Sequence, residues 1–193
     1  MSKQCENDKY FRKNSNNTYI WLYEINHLYG LKMKRLYIIR HAKSSWKHSV
    51  SDLRRPLKKR GVNDAELIAK HTVKLFNNPD IILCSPSKRT TQTASIFIKN
   101  WKLTSDIINY INDLYDFSGE NLIKTIKECN NDVNSVMIFA HNFAVTEFVN
   151  TFGTIDVNSV PTCGFVVIDF DIDSWENLSK GKTVYKIFPK ELK

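Results

Sequence analysis

Between residues 36 and 188 the chain alternates short apolar runs with segments whose apolar residues recur every three or four positions. Leu36-Tyr37-Ile38-Ile39 comes first. A polar loop containing Pro56 separates it from a helix predicted over about 62–76, where Ala65, Ile68, Ala69, Val73, Leu75 and Phe76 fall near helical spacing. Asn77, Asn78 and Pro79 end that helix. Residues 81–84 read as a second strand, Ser85-Pro86 as a turn, and about 87–99 as a second helix with Ser87 at its N-cap. A weak strand over 106–111, a helix over about 119–129, the strand SVMIFA at 135–140 and a helix over about 142–152 follow, with Asn142 as that helix's cap. Two late strands, GFVVIDF (164–170) and KTVYKIF (182–188), are joined by a turn containing glycine. Strands this short and continuously apolar need cover on both faces. The expected class is therefore α/β, a three-layer α/β/α sandwich around a mostly parallel sheet.

In such sheets ligands collect at the carboxyl ends of the strands. The residues that follow each apolar run then share one edge: Arg40 and His41, Ser85 to Arg89, and His141 with Asn142. Two arginines and two histidines converge there. Guanidinium forks match phosphate oxygens, and helices starting near Ser87 and Asn142 aim free backbone N–H groups the same way, so the edge suits a dianion such as phosphate. An imidazole beside such cations is pushed below its ordinary pKa of about 6.5, toward the neutral, nucleophilic form. Either His41 or His141 could attack phosphorus, dividing one displacement into transfer to the enzyme and transfer to water.

Composition narrows the alternatives. The 193 residues fit one domain, and 42% hydrophobic with 25% charged residues excludes disorder of the whole chain. The net charge of +8 is scattered among 20 acidic residues without a Lys/Arg tract, which fits a basic surface for anionic ligands and argues against a nucleic-acid interface. Nucleic-acid binding would show as steeply salt-dependent association that survives loss of His41. Cys5, Cys84, Cys129 and Cys163 are far apart and form no metal-spaced cluster, so reduced thiols are expected, with Cys84 and Cys163 buried. No apolar run approaches a membrane span, and YIWLY (19–23) is too short for a signal-peptide core. The expected setting is cytoplasmic and monomeric. Residues 1–32 differ from the rest: an Asn-rich lead, an aromatic patch without clear period, and Gly30 as a break. They read as an extension preceding a natural start at Met33, or as an arm docking through Trp21, Leu22 and Tyr29; residues 33–193 form the domain.

RHAKSSW (40–46), RRPLKKRG (54–61), SPSKRTTQTA (85–94), HNF (141–143) and the tail at 160–192 resemble, in this order, the histidine phosphatase superfamily with its phosphoglycerate mutase-like fold. Within it they resemble the small SixA-like phosphohistidine phosphatases, from about Lys34 to the last residue. The resemblance implies that His41 is the nucleophile, that Arg40 and Arg89 hold the phosphoryl oxygens, and that His141 donates to an equatorial oxygen. It also implies a hydrogen bond from the other nitrogen of His41 to main chain, and neither a metal nor a cofactor. From their own chemistry Ser44 and Ser45 are candidate phosphate contacts through hydroxyl or backbone. Larger family members add a carboxylic acid that protonates an alcohol leaving group. Here NDLYDFSGENL (112–122) offers Asp113, Asp116 and Glu120 without a fixing motif, and Asp116 is the candidate acid. A phosphoramidate leaves as neutral imidazole and depends less on such an acid. The expectation is therefore a hydrolase acting on phosphohistidine, with a phosphorylated protein or small phosphorylated molecule as partner. The alternatives are a phosphatase or mutase for small alcohol phosphates, and a non-catalytic phosphate- or protein-binding module.

Other polar residues read more plainly. His27 has no supporting neighbours, His71 reads as solvated among Lys70 and Lys74, and His48 as a residue at the mouth of the site at most. Arg54, Arg55, Lys58, Lys59 and Arg60 read as a solvated loop and helix start, although Arg54 or Arg55 could meet an acidic partner protein. Trp46 either packs under its loop or walls the pocket. Asp169, Asp171 and Asp173 read as a solvated edge.

Overall fold

The computed structural model describes residues 33–47 and 49–193. The expectations placed on the first 32 residues and on His48 lie outside the described residues. The strands are β1 (Lys34–Arg40), β2 (Ile81–Cys84), β3 (Ile108–Tyr110), β4 (Ser135–Ala140), β5 (Phe165–Phe170) and β6 (Lys182–Ile187). The helices are α1 (Lys59–Thr72), α2 (Lys88–Trp101), α3 (Glu120–Lys127) and α4 (Ala144–Phe152). One sheet runs in the order β3-β2-β4-β1-β5-β6, with β1 to β4 parallel and β5 antiparallel to both β1 and β6. The reversal has a local cause. After α4 the chain runs back along that helix, with Val157 bonded to Asn150 and Val160 to Thr146, and reaches the carboxyl edge where the Val160 carbonyl meets Arg40, so β5 starts there and runs the opposite way to β1.

The pleat sends alternate side chains of each strand to opposite faces, which builds the three layers. Leu36, Ile38, Val136, Ile138, Val166 and Ile168 pack with Leu122 and Ile126 of α3 and Val145, Phe148 and Val149 of α4. Tyr37, Ile39, Met137, Phe139, Phe165 and Val167 pack with Ala65, Ile68 and Ala69 of α1 and Ala94, Phe97 and Trp101 of α2. Cys84 and Cys163 are buried free thiols and Cys129 is half-buried.

The predicted elements all occur, with their ends moved for identifiable reasons. Helix α1 starts at Lys59 and ends at Thr72, and Phe76 reaches the same core from a turn, so its apolar spacing overstated the helix. Helix α4 starts at Ala144 with Phe143 at the N-cap position. Asn142 does not cap it: the Asn142 side chain accepts from Thr146 Oγ1 (2.6 Å) and donates to Ser159 Oγ (3.1 Å). Ser87 holds the N-cap position of α2, but its hydroxyl pairs with that of Thr90 (2.7 Å) instead of a backbone N–H. His71 is not simply solvated, since Nε2 pairs with the Tyr185 hydroxyl at 2.8 Å. Asp169 is buried and forms a two-pronged ion pair with Arg35, with distances of 2.6 and 2.7 Å, while Asp171 and Asp173 stay exposed.

Candidate active site

Register brings the functional residues together. β4 lies between β2 and β1, and Arg40 stands beside Ala140 while Cys84 stands beside Phe139. The next residues, His41, Ser85 and His141, therefore leave the sheet side by side, with the His41 N–H bonded to the Ala140 carbonyl and the Ser85 N–H to the Phe139 carbonyl.

The loop after β1 is held on several sides. Ser44 pairs with Leu57, the Ser45 N–H donates to the Pro56 carbonyl and the Lys58 N–H to the Lys43 carbonyl. Gly61 allows α1 to begin directly on this loop, since a Cβ there would lie 2.3 Å from the Lys43 oxygen. From α2, Thr93 Oγ1 accepts the Ala42 N–H (3.0 Å) and Gln92 accepts the Leu57 N–H (2.8 Å). The loop after α4 completes the enclosure, with the Cys163 N–H donating to the carbonyls of Arg40 and His41.

Within this frame the His41 ring nitrogen Nδ1 lies 2.8 Å from the Ala42 carbonyl, a contact that requires Nδ1 to carry the proton. Nε2 is then a lone pair, and Nε of Arg89 donates to it at 3.2 Å. Arg89 also donates through Nη2 to His141 Nδ1 (3.2 Å), while His141 Nε2 pairs with Ser85 Oγ (2.7 Å). The two imidazole centroids are 5.2 Å apart. Burial pushes the pKa of His41 down to about 3; the charges of Arg89, Arg40 and Arg55 deepen the effect and the Ala42 carbonyl opposes it. Burial, the His41 ring and the Arg89 charge push His141 down to about 2. Both rings are neutral at ordinary pH. Arg40 donates through Nη1 to the Val160 carbonyl (2.7 Å), its buried Nε has no partner among the described residues, and burial lowers its pKa.

Three further residues, Asp52, Arg55 and Tyr115, belong to the site although the sequence did not mark them. Asp52, in a short 3-10 turn over 52–54, grips the outer edge of Arg89 through its carbonyl (2.6 Å to Nη1) and Oδ2 (2.9 Å to Nη2). Its Oδ2 also accepts from the Tyr115 hydroxyl (2.5 Å) and its Oδ1 from Arg55 Nε (2.8 Å). Burial opposes ionisation of Asp52, but the Tyr115 hydroxyl and the Arg89 and Arg55 charges hold its pKa below the usual range. Arg55 is consequently not a solvated loop residue. It is buried between Asp52 and the ring of Trp46, which it covers at 3.5 Å, and Trp46 itself lies on the surface at 73% exposure. The signals available were an Asp and an Arg three residues apart, close to a tryptophan.

The remaining candidates are engaged in other contacts. Asp116 accepts from the N–H groups of Ser118, Gly119, Asn121 and Leu122 and from the Ser118 hydroxyl, so its carboxylate caps the start of α3. Burial acts against its ionised form, but these donors prevail and its pKa lies below the usual value, the opposite of what an acid needs. Asp113 and Glu120 are exposed. Ser44 is buried with its backbone paired to Leu57, and none of its hydrogen bonds reaches the two histidines. Among the described residues, no group of three or more His, Cys, Asp or Glu side chains is placed to hold a metal ion.

The profile of the histidine phosphatase superfamily (branch 1) matches residues 36–115, the segment that carries Arg40, His41, Asp52 and Arg89. Over that segment the chain is similar to this superfamily. It is SixA-like within it: the solved SixA of Agrobacterium tumefaciens is 25% identical, with a TM-score of 0.66 over 80% of this chain and 97% of that one. The protein histidine phosphatase SixA complexed with tungstate is 21% identical and shares the fold at a TM-score of 0.71, covering 82% and 99% of the two chains. An uncharacterized chloroplastic protein of Arabidopsis thaliana is 28% identical over 156 residues, covering 74% of this chain and 69% of the relative. The likeness to the superfamily and to SixA supports phosphatase chemistry. His141 lies beyond the matched segment, and the sheet register is what brings it to His41.

Proposed function

We propose that this protein is a phosphatase that removes phosphoryl groups from phosphohistidine through a covalent phosphohistidine at His41. The observation that carries the reading is the fixed tautomer of His41, with Nδ1–H bonded to the Ala42 carbonyl and the Nε2 lone pair facing Arg89. In the first step that lone pair forms a bond to phosphorus as the substrate's P–N bond breaks. The electron pair stays on the departing imidazole, which leaves neutral because its ring entered protonated. In the second step water forms a P–O bond, the P–N bond to His41 breaks, its electrons return to Nε2, and orthophosphate leaves with the protons of the water. Nδ1 keeps its proton on Ala42 throughout.

The arginines and His141 meet the charge on the phosphoryl oxygens. Asp52 holds the outer edge of Arg89 so that the inner edge faces the space between the histidines. Ser85 gives His141 its freedom: by turning its hydroxyl to donate to Nε2, it leaves the proton on Nδ1, where it donates to a phosphoryl oxygen that takes the place of the Arg89 contact. The preference for phosphohistidine over alcohol phosphates is supported by the carboxylates near the site. Asp52 and Asp116 are both held ionised by several donors, and a phosphoramidate needs no acid from either. A protein of this fold, the protein histidine phosphatase SixA, binds tungstate, a tetrahedral oxyanion, which supports the reading.

The test is to incubate the protein, and its His41→Ala variant, with a phosphohistidine-bearing protein and separately with an aryl phosphate. Release of phosphate only by the unmodified protein is expected. Activity unchanged by His41→Ala overturns the mechanism, and turnover of alkyl phosphates without phosphohistidine overturns the substrate.

A further inference from the structure

Large apolar side chains left in water are informative when they gather in one place. Trp46, Val50, Leu53, Phe117 and Phe143 are five of the seven exposed large hydrophobics among the described residues, and all five sit on the loops around the two histidines. Much of their arrangement follows from contacts already described. Trp46 stacks on Arg55, which pairs with Asp52; Leu53 follows Asp52; Tyr115 joins Asp52 to Phe117, whose ring lies 5.3 Å from that of Tyr115 and 5.1 Å from that of His141. Phe143 is two residues beyond His141 and 71% exposed. Phe117 packs on His141, and Trp46, Leu53 and Phe143 stand exposed on the loops that follow the strands leading to the two histidines, forming an apolar rim.

Exposed cations are set into this rim beside its apolar members: Lys47 after Trp46, Arg54 after Leu53, and Lys88 before Arg89. The carboxylate of Asp52, within the same loop, has its oxygens turned to Arg55, Arg89 and Tyr115. A free phosphorylated metabolite has no use for so wide an apolar surface, whereas a phosphorylated side chain on a folded protein brings its own surroundings to the rim. The interleaved charge selects the kind of protein, since electrostatic complementarity governs which partners meet productively.

We propose that the rim is a docking surface for an acidic protein, which presents its phosphohistidine to His41 while its apolar side chains cover Trp46, Leu53 and Phe143. This rests on the phosphatase reading above. Removing exposed aromatic anchors at a protein interface weakens binding roughly tenfold or more, and exposed positions tolerate substitution without loss of folding.

The experiment compares two substrates, free phosphohistidine and an acidic protein carrying one histidine phosphorylated chemically with phosphoramidate. The enzymes are the unmodified chain, Trp46→Ser with Phe143→Ser, and Lys47→Glu with Arg54→Glu. Expected is a fall in kcat/KM of roughly tenfold or more on the phosphoprotein for each double variant, with activity on free phosphohistidine kept within about twofold. Equal losses on both substrates, or no loss on the phosphoprotein, overturn the docking surface. Hydrolysis of free phosphohistidine but not of the phosphoprotein by the unmodified chain overturns it too, leaving the phosphatase reading intact. Hydrolysis of neither removes both. Sedimentation supplies the rival outcome: a dimer that Trp46→Ser with Phe143→Ser turns into monomer assigns the rim to a second copy of the chain and overturns the proposal.

Discussion

Replacing Asp52 by asparagine tests how Arg89 is aimed. The carboxylate takes hydrogen bonds from Arg89, Arg55 and Tyr115 at 2.9, 2.8 and 2.5 Å. Asparagine keeps the size and one acceptor, but it removes the charge and turns an amide donor toward a cluster that includes two guanidinium groups, which only donate. A hydrogen bond to a charged group contributes about 1.5–3 kcal/mol when sheltered. Because the Asp52 side chain is 40% exposed, solvent screening reduces the total for the three to about 2 kcal/mol. In a domain of this size that corresponds to a fall in Tm of about 4–8 °C. The kinetic effect separates from the thermal one. With its outer edge released the guanidinium pivots, and misplacement on the order of 1 Å lowers transfer up to about 100-fold, so kcat is expected to fall roughly 10- to 100-fold. Oxyanion affinity moves the other way, because donors that Asp52 now occupies become available and a negative charge leaves the site. The assay is steady-state hydrolysis of phosphohistidine with tungstate or phosphate as inhibitor, well below the variant's Tm. An unchanged kcat refutes the reasoning, and so does a parallel loss of kcat and oxyanion affinity.

Tyr115→Phe removes only one of the donors on Asp52, so a milder fall in kcat of about two- to fivefold is expected in the same assay. Asp116→Asn is expected to lower the urea midpoint by the equivalent of about 1–2 kcal/mol through loss of the α3 cap, while the ratio of activity on alcohol phosphates to that on phosphohistidine stays constant. A selective loss on alcohol phosphates would identify Asp116 as the acid after all. Stability also carries a pH signature. Folded His41 and His141 bind protons only near pH 3 and 2, whereas unfolded histidine does so near 6.5, so their contribution is complete above about pH 6.5 and declines as pH falls toward 3. The slope is up to about 1.4 kcal/mol per pH unit for each histidine, and urea unfolding at pH 7.5, 6 and 5 should show it reduced in His41→Gln. Asp169→Ala leaves the Arg35 charge buried without its carboxylate and is expected to cost about 3–5 kcal/mol in the same unfolding measurement.

Much of the fold was legible because burial is written into regular spacing. SVMIFA occupies the strand it was read as, and Ile81 to Cys84 likewise, since both are enclosed by helices on two faces. From those two strands and β1 the carboxyl-edge rule placed His41 and His141 together although one hundred residues separate them. Helix ends were less legible, because Phe76 is apolar for the core and carries no mark of the turn it sits in. Asp52, Arg55 and Tyr115 went unrecognised for a related reason. They lie in loops without period, and their importance comes from contacts with Arg89 and one another that only tertiary structure creates. Asp116 shows the converse, a carboxylate in a suggestive stretch whose use is decided by local backbone donors.

The central claim is that phosphate passes through His41 Nε2. The most direct measurement is a rapid quench into alkali, where phosphohistidine survives, after mixing the protein with radiolabelled phosphohistidine substrate, followed by peptide mapping of the labelled chain. Expected is label on the peptide containing His41, appearing before free phosphate and absent in His41→Ala. Label on another residue, or full turnover by His41→Ala, contradicts the account.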